Sequence, residues 1–127
     1  MKGILASVLA GLALTIPANA HHSFAAQYFE EQTVRIEGEL VRFEYASPHA
    51  WVYIVVKDEN GQAQQFSAEW SNPRRLKGAG VTKETLKPGD IVVITGSPGR
   101  NPADRRVHVK RIERPADGWS VATDRRR

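Results

Sequence analysis

The chain has 127 residues, 41% hydrophobic and 25% charged, with a formal net charge of +4 and no cysteine. That length fits one domain with a modest core, and the missing cysteines exclude a disulfide scaffold, so packing alone must hold the fold. The basic excess gathers late, at Arg105, Arg106, Lys110, Arg111, Arg114 and Arg125 to Arg127, which points to anionic partners if to any.

The N-terminus reads as an export signal. Lys2 supplies a charged start, residues 4–16 form an apolar run, Pro17 breaks it, and Ala18-Asn19-Ala20 is an A-x-A cleavage site. The run is too short to cross a bilayer comfortably, and no later stretch is long or apolar enough to do so. The expected mature chain begins at His21 and is periplasmic or secreted. No nucleic-acid partner is then expected, and the partner classes left are an anionic ligand or another protein.

Residues 21–32 read as an irregular arm, with Phe24, Tyr28 and Phe29 available to pin it to the domain. The first strand starts at Val34. Val34, Ile36 and Leu40 share one phase, whereas Val41, Phe43 and Tyr45 share the other. A one-residue slip of this kind marks a β-bulge, and Gly38 just before it eases a bend. After the corner Ser47-Pro48-His49-Ala50-Trp51, residues 51–56 are apolar on both faces, as in a central strand. Asn60-Gly61 marks a hairpin turn. The alternation over residues 65–70 places Phe66, Ala68 and Trp70 inward. Trp51 and Tyr53 beside Arg42 resemble a stacking surface, but core packing is the simpler assignment for both rings.

Asn72 before Pro73 is a helix start, closed by Gly78 and Gly80. Thr82 offers a further cap, and Lys87-Pro88-Gly89-Asp90 forms a tight turn. Residues 91–95 read as a buried strand, 96–104 as a polar loop, and 106–112 as a last strand with Val107 and Val109 inward and His108 outward. The expected fold is all-β: a small five-stranded OB-like Greek-key barrel with a short helix between strands 3 and 4. Another small Greek-key barrel or a β-sandwich is the alternative. The expected organisation is a signal over residues 1–20, an arm over 21–32, the barrel over 33–114 and a basic tail over 115–127, with Trp119 docking back. Leu40, Val52, Ile54, Phe66, Ile91, Val93 and Val109 are the expected core.

Three stretches then combine: His21-His22-Ser23-Phe24 after the cleavage site, Ser47-Pro48-His49-Ala50-Trp51 at the corner, and Leu86-Lys87-Pro88-Gly89-Asp90. Together they resemble a family of small exported bacterial proteins of unknown function that share an HHSF start, an N-P-H-x-W corner and an L-K-P-G-D turn. Ser47 stands where that family often has Asn, and Val81 where it often has Trp. The resemblance implies a fold and an exported location, and it implies no activity.

The residues themselves suggest one chemistry. Cleavage after Ala20 would leave His21 with a free amine and an imidazole Nδ1 able to chelate one metal ion, and the amine can lose its proton to a metal near neutral pH. A third nitrogen from a distant histidine would complete a T-shaped copper site, similar to the histidine brace of copper oxygenases and carriers. His49 is the best donor because two strands fix its corner; His22 is a competing ligand, and His108 is a weaker candidate. Nitrogen donors suit Cu(II). The ordinary alternatives are an exposed arm for His21 and His22, and for His49 a ring that bonds the backbone beside Trp51. No nucleophile-elbow, HExxH or phosphate-loop pattern supports an enzyme, and Glu69 and Asp90 read as solvated carboxylates. A binding module is the resulting expectation, with copper at His21, His22 and His49, or alternatively a metal-free face for an anionic ligand or a protein.

Overall fold

The computed structural model describes residues 24–123. The expected signal segment, its cleavage site, His21, His22 and the final arginines lie outside the described residues. A four-residue helix, α1 (Phe24–Gln27), opens the described chain. The strands are β1 (Val34–Glu44), β2 (Trp51–Lys57), β3 (Ala63–Glu69), β4 (Ile91–Pro98), β5 (Arg106–Arg114) and β6 (Trp119–Ala122), with α2 (Pro73–Gly78) between β3 and β4.

The sheet order is β3-β2-β1-β4-β5-β6, and β3 also pairs with β5. That last pairing is parallel and closes five strands into a barrel, leaving no open edge between β3 and β5. β1 makes the closure possible by serving two neighbours. Its first half pairs with β4 and its second with β2. The switch falls at a bulge between Leu40 and Arg42, where the phase of apolar residues slips. Gly38 is required there, because a Cβ would lie 2.5 Å from the Val55 carbonyl oxygen. This is the OB arrangement: three antiparallel strands of which the first is bent, a helix at the barrel end, and a closing hairpin.

Inside lie Leu40, Val52, Ile54, Ala68, Trp70, Val92, Ile94, Val107, Val109 and Ile112, with Leu76 of α2 and with Val81 and Leu86 of the following loop. Phe66 packs against this cluster, half-buried. Local chemistry seats the helix as read: Asn72 caps it by accepting from the Arg75 amide, and Pro73 follows. Gly89, at φ +94°, turns the chain into β4, where the Leu40 amide donates to the Asp90 carbonyl and the Gly89 amide donates to the Leu40 carbonyl.

Several expectations need correcting. Ile91 is 46% exposed, because β4 faces the core with Val92 and Ile94; Val93 is buried, but outside that cluster. Val41 is the bulge residue and is 47% exposed, so Phe43 and Tyr45 alone pack inward from that half. The polar loop expected from Gly96 starts later. β4 runs on to Pro98, and Gly96 permits this because any Cβ there would strike the His108 carbonyl. Trp51 and Tyr53 lie on the outer face, alternating with the fully buried Val52 and Ile54. Beyond Arg114, where the sequence reading has a tail, residues 119–122 form β6 and pair with β5 in register Arg114↔Trp119. Trp70 Nε1 donates to Thr123 Oγ1 at 3.1 Å, tying this strand to the barrel core.

Candidate functional site

His49 follows the cis Ser47–Pro48 peptide in the corner between β1 and β2. Backbone bonds from Ala50 N to the Ser71 carbonyl and from Trp70 N to the Ala50 carbonyl lock that corner against the end of β3. There Glu69 sits opposite Trp51 in the strand register and is buried, with 7% exposure. Its two oxygens are both used. Tyr28 Oη donates to Oε1 at 2.8 Å, and His49 Nδ1 lies 3.0 Å from Oε2. Glu69 as a carboxylate can only accept, so His49 carries its proton on Nδ1 and leaves Nε2 as the free nitrogen.

Tyr28 comes from the arm and is fully buried. Burial, reinforced by the bond to Glu69, pushes its phenol far above the ordinary range, so it stays a neutral donor. A bridge from Tyr28 to Gly99 and a bond from the Phe29 amide to the Pro98 carbonyl seat the arm on the β4 end. The arm is also held at His108 on β5, whose Nδ1 lies 2.8 Å from Glu30 Oε1. Lys110 Nζ donates to the Gln32 carbonyl at 2.7 Å and to Thr33 Oγ1 at 2.8 Å. Phe24 fills the space between the two histidines. Its ring stacks on His108 at 3.8 Å and 10°, and tilts against His49 at 5.2 Å.

The arm therefore brings together two imidazoles, each with a carboxylate on Nδ1, around one phenyl ring. Of the expected ligands, His49 is in this site, while His21 and His22 fall outside the described residues. His108, read as weaker, is beside it. A cleft of about 240 Å³ opens here, walled by Phe24, Pro48, His49 and Trp51, with Gln27 and Arg106 also lining it. A larger hollow, about 420 Å³, lies between α2 and β6, but Arg75 is the one charged residue among the described residues that lines it. The titratable groups His49, Glu69 and Arg106 converge on the smaller cleft, which makes it the candidate site.

Among the described residues no three histidines, cysteines or carboxylates are grouped to hold a metal. The fit to a metal is therefore partial. A carboxylate on the far ring nitrogen is the usual setting of a metal-bound histidine, and His49 has it; further nitrogens must come from elsewhere. Sequence reasoning had Tyr28 pinning the arm, as it does, but read Glu69 as solvated and missed Glu30 and the pairing of Tyr28 and His49 on Glu69. Glu69 reads as an outward carboxylate on an alternating strand, and nothing local marks the tyrosine 41 positions away that buries it.

A closed five-stranded OB-type barrel with a docked N-terminal arm is thus the class that fold and site define. The model of the family of unknown function DUF6152 matches residues 9–107, and the chain belongs to that family. No curated protein matches it. Among solved structures it is similar to Rim1, the mitochondrial single-stranded DNA-binding protein of S. cerevisiae, at 14% identity over 73% of this chain and 96% of that one, with a TM-score of 0.49. A small single-stranded DNA-binding protein from Streptomyces coelicolor matches at 13% identity over 65% and 90% of the two chains, with a TM-score of 0.44. The agmatidine synthetase TiaS matches at 15% identity over 65% of this chain but 18% of that one, with a TM-score of 0.45. Among the described residues no helix is long and apolar enough to cross a membrane.

Proposed function

We propose that this protein is an exported binding module, periplasmic or secreted, that holds one Cu(II) ion between His49 and the amine and imidazole of His21 once the chain is cleaved after Ala20. The observation that carries this reading is the His49–Glu69 bond at 3.0 Å, which leaves Nε2 as the donor nitrogen. Chain length is compatible with it. Phe24 lies 5.2 Å from the His49 ring, and three residues of chain reach roughly 10 Å when extended. Copper would supply Lewis acidity or redox capacity; the residues here would bind and orient it. His22 competes for the same ion through the amine and its own amide. His108, stacked under Phe24, holds the arm in place.

The test is a chelator-competition titration with electron paramagnetic resonance on the chain starting at His21. One Cu(II) per chain with nitrogen ligation is expected, and His49→Ala should weaken binding without abolishing it. Absence of tight Cu(II) binding would overturn the reading. A second reading, a metal-free binder of an anionic ligand through the barrel face, is favoured by Arg106. That guanidinium lines the cleft and has no carboxylate partner among the described residues.

A further inference from the structure

We infer that the outer barrel face beside His49 binds a sugar acid, with the ligand's carboxylate on Arg106 and its pyranose ring on Trp51 and Tyr53. This rests on the barrel-face reading and is independent of copper. Because Val52 and Ile54 point into the core, strand alternation turns Trp51 and Tyr53 outward. Their rings lie 6.4 Å apart and within 22° of parallel. They form one apolar stripe on a solvent-facing strand. Arg42 covers Tyr53 at 4.2 Å and Arg106 covers Trp51 at 5.4 Å.

The two arginines are not equivalent. Arg42 is already paired with Glu44 at 3.5 Å. Arg106 is exposed and has no ion-pair partner among the described residues. The cleft it lines is about 240 Å³, smaller than the range for a whole drug-sized ligand. It therefore suits one polar group, with the rest of the ligand lying along the stripe. Glu69 in the cleft has both oxygens taken by Tyr28 and His49, and Arg106 and Gln27 bring donors for an anion to the same cleft. Ser67 stands opposite Tyr53, and Gln65 opposite Val55, on the same outer face.

A pyranose acid uses every part of this surface. Its C–H face displaces the two exposed guanidiniums from the aromatic stripe, its hydroxyls meet Ser67 and Gln65, and its carboxylate takes the Arg106 fork so released. Single-stranded nucleic acid also stacks on aromatics, but it needs a track of cations along its backbone. Here Glu44 stands beside Arg42, and Arg106 alone of the two arginines is unpaired.

The test is an NMR and tryptophan-fluorescence titration of the metal-free protein with trigalacturonate, its methyl ester and oligo-dT. Trigalacturonate should shift the Trp51 indole and the Arg106 side chain. The ester should bind at least tenfold more weakly, and Arg106→Gln and Tyr53→Ala should each lose severalfold or more. Arg35→Ala, an exposed arginine elsewhere on β1, should change nothing. Equal binding of acid and ester, or an unchanged Arg106→Gln, would overturn the inference. Binding of oligo-dT alone at these residues would keep the anion-binding face and overturn the sugar acid. If none of the three probes shifts these residues, both readings fall.

Discussion

Tyr28→Phe removes one oxygen from the place where the arm meets the barrel. The ring stays, so the apolar burial of a fully enclosed side chain is kept. What goes is the 2.8 Å bond to Glu69 Oε1. Glu69 is itself buried, and its other oxygen is taken by His49, so the orphaned oxygen has little water to turn to. A hydrogen bond to a charged group contributes about 1.5–3 kcal/mol, and that is the expected loss in urea unfolding at pH 7. The pH dependence carries a sign. Burial raises the Tyr28 phenol above its unfolded value, so its contribution is fully present below about pH 10 and fades as pH rises from there towards the folded value. The difference between the parent and Tyr28→Phe should therefore be flat from pH 6 to 9 and shrink above roughly pH 10. A loss below about 0.5 kcal/mol, the range of surface changes, would show that the arm does not dock in solution and would remove the physical basis for the site.

Three further outcomes are expected. Ile54→Ala should cost about 2–5 kcal/mol as a core truncation, whereas Ile91→Ala, at a position 46% exposed, should stay within about 0.5 kcal/mol; equal losses in urea unfolding would mean the β4 phase is wrong. The Ser97 hydroxyl is buried without a partner among the described residues, so Ser97→Ala should be neutral or stabilise by about 1 kcal/mol, and a loss of that size would reveal a hidden partner. Hydrogen bonds from Arg114 hold the Asp117 carboxyl below its ordinary value, so this turn supports the β5–β6 hairpin above the ordinary Asp pKa, near 4, and loses that support as pH falls below it. Amide exchange across β6 should accelerate only under acid, and acceleration already at pH 6 would contradict the assignment.

The barrel was legible because its markers are local. Gly38 and the phase slip after Leu40 announce the bulge, and Asn72-Pro73 announces the helix. Ile91-Val92-Val93-Ile94 was not legible, since four apolar residues in a row carry no phase; the Leu40–Asp90 backbone bond sets it. β6 was masked by the flanking Pro115 and arginines, although Trp119-Ser120-Val121-Ala122 alternates once its partner strand is known. Of the site, His49 was visible from its corner. Its carboxylate was not, because the Glu69 network joins positions 20 and 41 apart in sequence, and such pairings come from the barrel closure rather than from any local pattern.

Copper binding at a processed terminus is most directly tested by comparing three proteins in one chelator competition: the chain starting at His21, the same chain with one glycine added before it, and His49→Ala. A copper site at the processed terminus predicts tightest binding by the first. The added glycine should remove most Cu(II) affinity, because the amine and Nδ1 no longer share a residue, and His49→Ala should fall in between. Affinity should also drop on acidification, as protons compete for the nitrogens. Equal affinity in all three proteins would contradict it.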